Sequence, residues 1–167
     1  GLGIAPFPAA VYGLPALSVI VAPIVEEVSK ALGIAFIRDR DPERHDGYIY
    51  GAAAGFGFAF TENLFYVATA YAVGGEDLAL TVAVFRGIAT VCLHGAATAF
   101  TGYGLWRLRY GGNPFPLLVL LPLAIALHAA YNALASLAQM GAALGAALLA
   151  VLVYRRILKR VRVHGRG

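Results

Sequence analysis

The chain has 167 residues, of which 60% are hydrophobic and only 13% charged. A soluble domain is typically about 25% charged, so the composition argues against a soluble enzyme and predicts an all-α integral membrane protein. The net charge of +4 does not point to nucleic acid, because the basic residues fall in blocks between apolar stretches. The one cysteine, Cys92, rules out an intrachain disulfide and reads as a small packing residue.

A membrane span needs about 20 apolar residues. Five stretches qualify, at roughly 8–37, 47–72, 77–107, 114–138 and 140–158, and together they predict one transmembrane domain over 1–167. The chain opens on Gly1 rather than Met, which suggests a fragment with room for further spans ahead of it. Basic blocks lie at Arg38, Arg40 and Arg44, at Arg107 and Arg109, and in the tail from Arg155 onward, whereas 73–76 and 138–141 have none. By the positive-inside rule, residue 1 lies outside the cell membrane, and the 38–46 loop, the 107–113 turn and the basic tail (159–167) lie in the cytoplasm.

In the first span, Pro15 and Pro23 interrupt an apolar run that also holds Glu26, Glu27 and Lys30. Pro23 lies one turn before Glu26, which predicts a kink that opens a polar cavity there. Lys30 is four residues after Glu26 and three after Glu27, so it can pair with either on one helix face. The second span carries the small-residue strip GAAAG (51–55), suited to close helix approach, and then Glu62 and Asn63. The third holds Arg86, Thr90 and His94 in a slowly drifting stripe, and ends on Tyr103 and Trp106, which fit an interfacial aromatic belt. GGNP (111–114) predicts a turn with Pro114 opening the fourth helix. That helix places His128 and Asn132 four residues apart, so Asn132 can orient the imidazole or donate to a developing oxyanion. A second small-residue strip, GAALG (141–145), belongs to the fifth span. His45 and His164 fall in polar segments and read as solvated.

Carboxylates inside a span cost roughly 2.5–3.5 kcal/mol each, so they mark function. Counted from the inner span ends at about 1.5 Å per residue, Glu26, Glu62, His94 and His128 lie about 16–22 Å deep. Four groups on four helices thus share one layer, which predicts a site at mid-membrane. Two chemistries suit it. Glu62, His94 and His128 make a two-imidazole, one-carboxylate set of the kind that holds catalytic Zn2+ with water in the fourth position, with Glu26 nearby to take the water's proton. Without metal, Glu26 or Glu27 activates water and the histidines and Asn132 stabilise the oxyanion. Arg86 can reach outer-side water, pair with an acid, or bind substrate.

These residues resemble the motifs of the PrsW family of intramembrane proteases. EEVSK (26–30) is similar to its EExxK motif, GFAFTEN (57–63) to FxxxEN with Phe58, Glu62 and Asn63 in place, His94 to its isolated third-helix histidine, and HAAYN (128–132) to its HxxxN/D motif. The resemblance implies a protease cutting membrane-anchored proteins, for the namesake an anti-sigma factor. The related CAAX-processing and bacteriocin-processing proteases carry histidine where this chain has Glu62, and arginine where it has Lys30. The expectation is an intramembrane protease using a glutamate-activated water, with or without zinc. Its rivals are a proton- or ion-coupled transporter, which also uses intramembrane Glu and His, and a membrane scaffold.

Overall fold

The computed structural model describes residues 17–136 apart from 39 and 42, together with 145, 148, 151, 152, 155, 156 and 159. Every element among them is helical: a π-helical turn at Leu17–Val21, then α1 (Ala22–Ala35), α2 (Asp46–Gly111) and α3 (Phe115–Ser136). Pro15, most of the fifth expected span with its GAALG strip, His164 and most of the basic tail lie outside the described residues.

Pro23 sits in the first turn of α1, directly after the π-turn. It has no N–H to offer the carbonyl of Val19 four residues back, and a π-turn is one of the local adjustments by which a membrane helix accommodates such a loss.

Two helices, α2 and α3, are long and apolar enough to cross a membrane. The first is folded back on itself. Gly75 has φ 71° and ψ −161°, a backbone state that glycine alone adopts readily, and it breaks α2 into arms over 46–74 and 76–111. The arms run antiparallel: Gly47 meets Gly102, Gly51 meets Thr98, Gly55 meets His94, and Asn63 meets Arg86. Each step along one arm is matched by an equal step back along the other, and the midpoint of every pair falls between Gly74 and Gly75. The hairpin register therefore follows from the turn.

The same pairs explain the small residues. A Cβ on Gly51 would strike the Thr98 carbonyl, and one on Gly55 the His94 carbonyl. Helix contact in lipid lacks a hydrophobic drive between helices, so backbones must approach closely. Gly112, at φ 61°, ends α2 in the left-handed state, and Asn113 accepts the Phe115 N–H at 3.0 Å to start α3. Against this buried seam, Phe36, Val73, Phe65 and Phe115 are 83%, 76%, 71% and 69% exposed. Apolar exposure on that scale marks a surface made for lipid, and the chain is a membrane protein.

Candidate active site

Residues from α1, both arms of α2, and α3 converge on one buried cluster. Glu27 is fully buried and every oxygen has a partner. Its Oε1 accepts from Lys30 Nζ at 2.6 Å and from His128 Nδ1 at 3.1 Å, and its Oε2 accepts from the Thr98 hydroxyl at 3.3 Å. A carboxylate so enclosed holds neighbours in place and has no room for substrate.

Glu26, the next residue, is about 100° further round the helix and differs in every respect. Its side chain is 18% exposed, its Oε2 has no hydrogen-bond partner among the described residues, and that oxygen lies 3.7 Å from Nε2 of His128. With His128 neutral and its Nδ1–H donating to Glu27, Nε2 carries a lone pair. A lone pair and a partnerless carboxylate oxygen facing each other leave room for a cation or a proton between them.

His94 stands edge-on to His128 with ring centroids 4.6 Å apart. Its Nδ1 lies 2.6 Å from Lys30 Nζ, and its Nε2 lies 3.1 Å from Oε2 of Glu62. Lys30 Nζ also sits 4.3 Å over the Phe58 ring, a cation–π contact that helps hold a buried charge. Glu62 is in turn paired with Arg86 at 3.0 Å. Arg86 donates from Nε to Asn63 Oδ1 at 3.0 Å and stacks 3.6 Å over Tyr66, and Thr90 donates to the same Asn63 oxygen at 3.0 Å.

The structure thus brings together Glu26, Glu27, Lys30, Glu62, His94 and His128, with Asn63 and Arg86 behind Glu62. Three arrangements differ from the sequence expectation. The acids and imidazoles whose ligand atoms all lie within 4.8 Å of one another are Glu26, His94 and His128, where Glu62 was expected beside the two histidines. Glu62 stands one step out, between His94 at 3.1 Å and Arg86 on the neighbouring arm at 3.0 Å. Asn132 does not orient His128: that position belongs to Glu27, and Asn132 donates to the Ser18 carbonyl at 2.9 Å, tying α3 to the π-turn. The polar groups also fill the space between the helices rather than line an open polar cavity. What reaches them is a groove of about 550 Å³ between α1 and the first arm of α2, mostly apolar, with Lys30 and Glu62 in its lining.

Thr98 and Tyr66 are participants that the sequence reading missed. Thr98 is four residues after His94 and Tyr66 four after Glu62, so continuing each stripe by one turn would have found both.

Acids and imidazoles buried together in a membrane protein are groups that can activate water, and ion carriers use the same residue types. A sequence model of the PrsW family intramembrane metalloproteases matches residues 6–157, and the chain belongs to that family; it is a peptidase of the membrane. Comparison with curated proteins and with solved structures gives no match.

The family implies a metal, and the residue types fit one, with His94 giving up its contact to Lys30 or to Glu62 to join the set. Two imidazoles and a carboxylate with an open fourth position is a catalytic zinc set. Tetrahedral ligand atoms about 2.0–2.1 Å from zinc lie about 3.3 Å apart, so the trio would close modestly. The partnerless Glu26 oxygen, buried where an unpaired charge is costly, is the independent sign of a missing partner.

Proposed function

We propose that this protein cleaves membrane-anchored protein substrates with Glu26, His94 and His128 holding zinc and Glu62 acting as general base. The observation that carries the reading is the partnerless Oε2 of Glu26 facing the bare Nε2 of His128. A zinc ion bound there supplies Lewis-acid polarisation and a water of lowered pKa. Glu27 keeps His128 in the tautomer that presents Nε2, the role a carboxylate plays behind a metal-binding histidine. Lys30 neutralises Glu27 so that this support can stay buried.

Glu62 lines the groove and is 20% exposed, so it can meet substrate. It takes the proton of the attacking water as the water oxygen bonds to the scissile carbonyl carbon. When the C–N bond breaks, the same proton passes to the leaving amine nitrogen. Arg86, braced by Asn63, Thr90 and Tyr66, holds Glu62 in position.

A second, metal-free reading rests on the Lys30–His94 contact. With Lys30 on Nδ1 and Glu62 on Nε2, both nitrogens of His94 are occupied, and Glu26 would then activate water directly beside His128.

The setting we propose is a bundle of five spans in the cell membrane, residue 1 outside and the tail cytoplasmic, acting on substrates such as an anti-sigma-factor-like protein. Basic blocks on alternate loops support this topology. The test is cleavage of a single-span reporter by the protein reconstituted in liposomes. Loss of general acid–base catalysis costs about 10²–10⁴-fold, and Glu62→Gln should fall by that much. Cleavage by Glu62→Gln at the wild-type rate would remove Glu62 from the base role.

A further inference from the structure

The groove beside the cluster is space that the described residues leave open. Its walls include Ser29 and Gly33 of α1 and Gly57 and Thr61 of the first arm, and Lys30 and Glu62 line it where it meets the cluster. Among the described residues, a Cβ added to Gly33 or Gly57 would meet nothing within 4 Å. These two glycines therefore differ from Gly51 and Gly55, whose missing side chains admit the other arm. A mid-helix glycine with no packing partner costs stability, about 0.5–1 kcal/mol relative to alanine, and here the vacated space adjoins the catalytic groups: Lys30 and Glu62 both contact His94.

The occupant follows from volume and hydrogen bonding. A helix is about 10–12 Å across with a 5.4 Å pitch, so about 550 Å³ holds roughly one turn of it. A few unwound residues fit that space, and only an unwound segment presents its carbonyl to attack. Its N–H groups then need acceptors, because no water is at hand in the hydrocarbon. Ser29 and Thr61 donate their hydroxyl protons to their own helices, to Val25 O at 2.7 Å and Gly57 O at 3.1 Å. Each hydroxyl oxygen keeps lone pairs able to accept from a guest.

Building on the peptidase reading above, we infer that the groove between α1 and the first arm of α2 binds a short, extended segment of the substrate's membrane span, with Gly33 and Gly57 leaving room for its side chains. The probe is a synthetic single-span peptide of leucine and alanine with a central Gly-Ala-Ser segment, in liposomes with the full chain. Gly33→Leu and Gly57→Leu fill open space, so they should fold and keep their metal. Steric misfit of this size is worth about 10–200-fold, and each variant should lose cleavage by at least the lower bound.

Occupancy is read separately by disulfide formation, which needs no turnover. In a Cys92→Ala background, Gly33→Cys and Gly57→Cys should crosslink to a cysteine at the peptide's centre, and Val84→Cys, 60% exposed on the other arm, should not. Crosslinking no better than at Val84→Cys, or leucine variants cleaving at the wild-type rate, would overturn the groove. Selective crosslinking at Gly33→Cys and Gly57→Cys, beside a wild-type protein that cleaves no such peptide, would support the groove and count against the peptidase mechanism.

Discussion

Gly55 and Gly57 lie two residues apart on one helix and have opposite reasons to lack a side chain. Gly55 presses on the backbone at His94, whereas Gly57 faces the open groove. The contrast extends to the sides of the helix they occupy. One side is a seam whose register sets the His94 backbone against Gly55, and the other is a surface that the described residues leave open beside Glu62. Small residues in a membrane helix thus report close packing only where a partner backbone is found opposite them.

The largest effect should come from the seam. Gly55→Ala puts a methyl into the His94 carbonyl, an overpacking whose neighbour is backbone, and should cost about 3 kcal/mol or more, read as thermal unfolding in detergent. Gly55→Leu should not fold. Next comes the buried Glu27–Lys30 pair of α1. Lys30→Met leaves Glu27 charged, buried and short of a cation, a change worth roughly 3–5 kcal/mol. The double variant Lys30→Met with Glu27→Gln should recover part of that loss, which a double-mutant cycle measures.

Arg86→Ala probes the groove side without filling it. It frees Glu62 from its brace, and supporting groups of this kind cost about 10–100-fold when removed. The loss should appear in cleavage rate while zinc content holds. The smallest effect carries the reversed sign: Gly57→Ala removes a mid-helix glycine where nothing opposes a Cβ, and should raise stability by about 0.5–1 kcal/mol. If Gly55→Ala and Gly57→Ala shift stability alike, the contrast between the two sides is broken.

The sequence carried much of this through depth. Intramembrane charge is costly, so polar residues at one depth had a reason to meet, and Glu26, Glu62, His94 and His128 do meet. The turn at Gly75 was legible as a gap between two apolar runs, and the hairpin register follows from it. Rotation about each helix axis was not legible. Adjacent Glu26 and Glu27 read alike in sequence, yet the rotation of α1 turns one inward to Lys30, Thr98 and His128 and leaves the other with an oxygen that no described residue hydrogen-bonds. Asn132 is the same lesson: its spacing from His128 predicted a local bond, but Glu27, more than 100 residues away in the chain, holds that ring nitrogen. Spacing along one helix could not anticipate a partner brought by another.

The central claim is that Glu26 belongs with the two histidines as a zinc ligand, and that Glu62 does not. It is tested most directly by the zinc content of protein purified without chelators and challenged with zinc. We expect about one ion per chain in the wild type, lost in Glu26→Ala, His94→Ala and His128→Ala and retained in Glu62→Gln. Zinc retained in Glu26→Ala but lost in Glu62→Gln would contradict the assignment, and a wild type that takes up none would favour the metal-free mechanism.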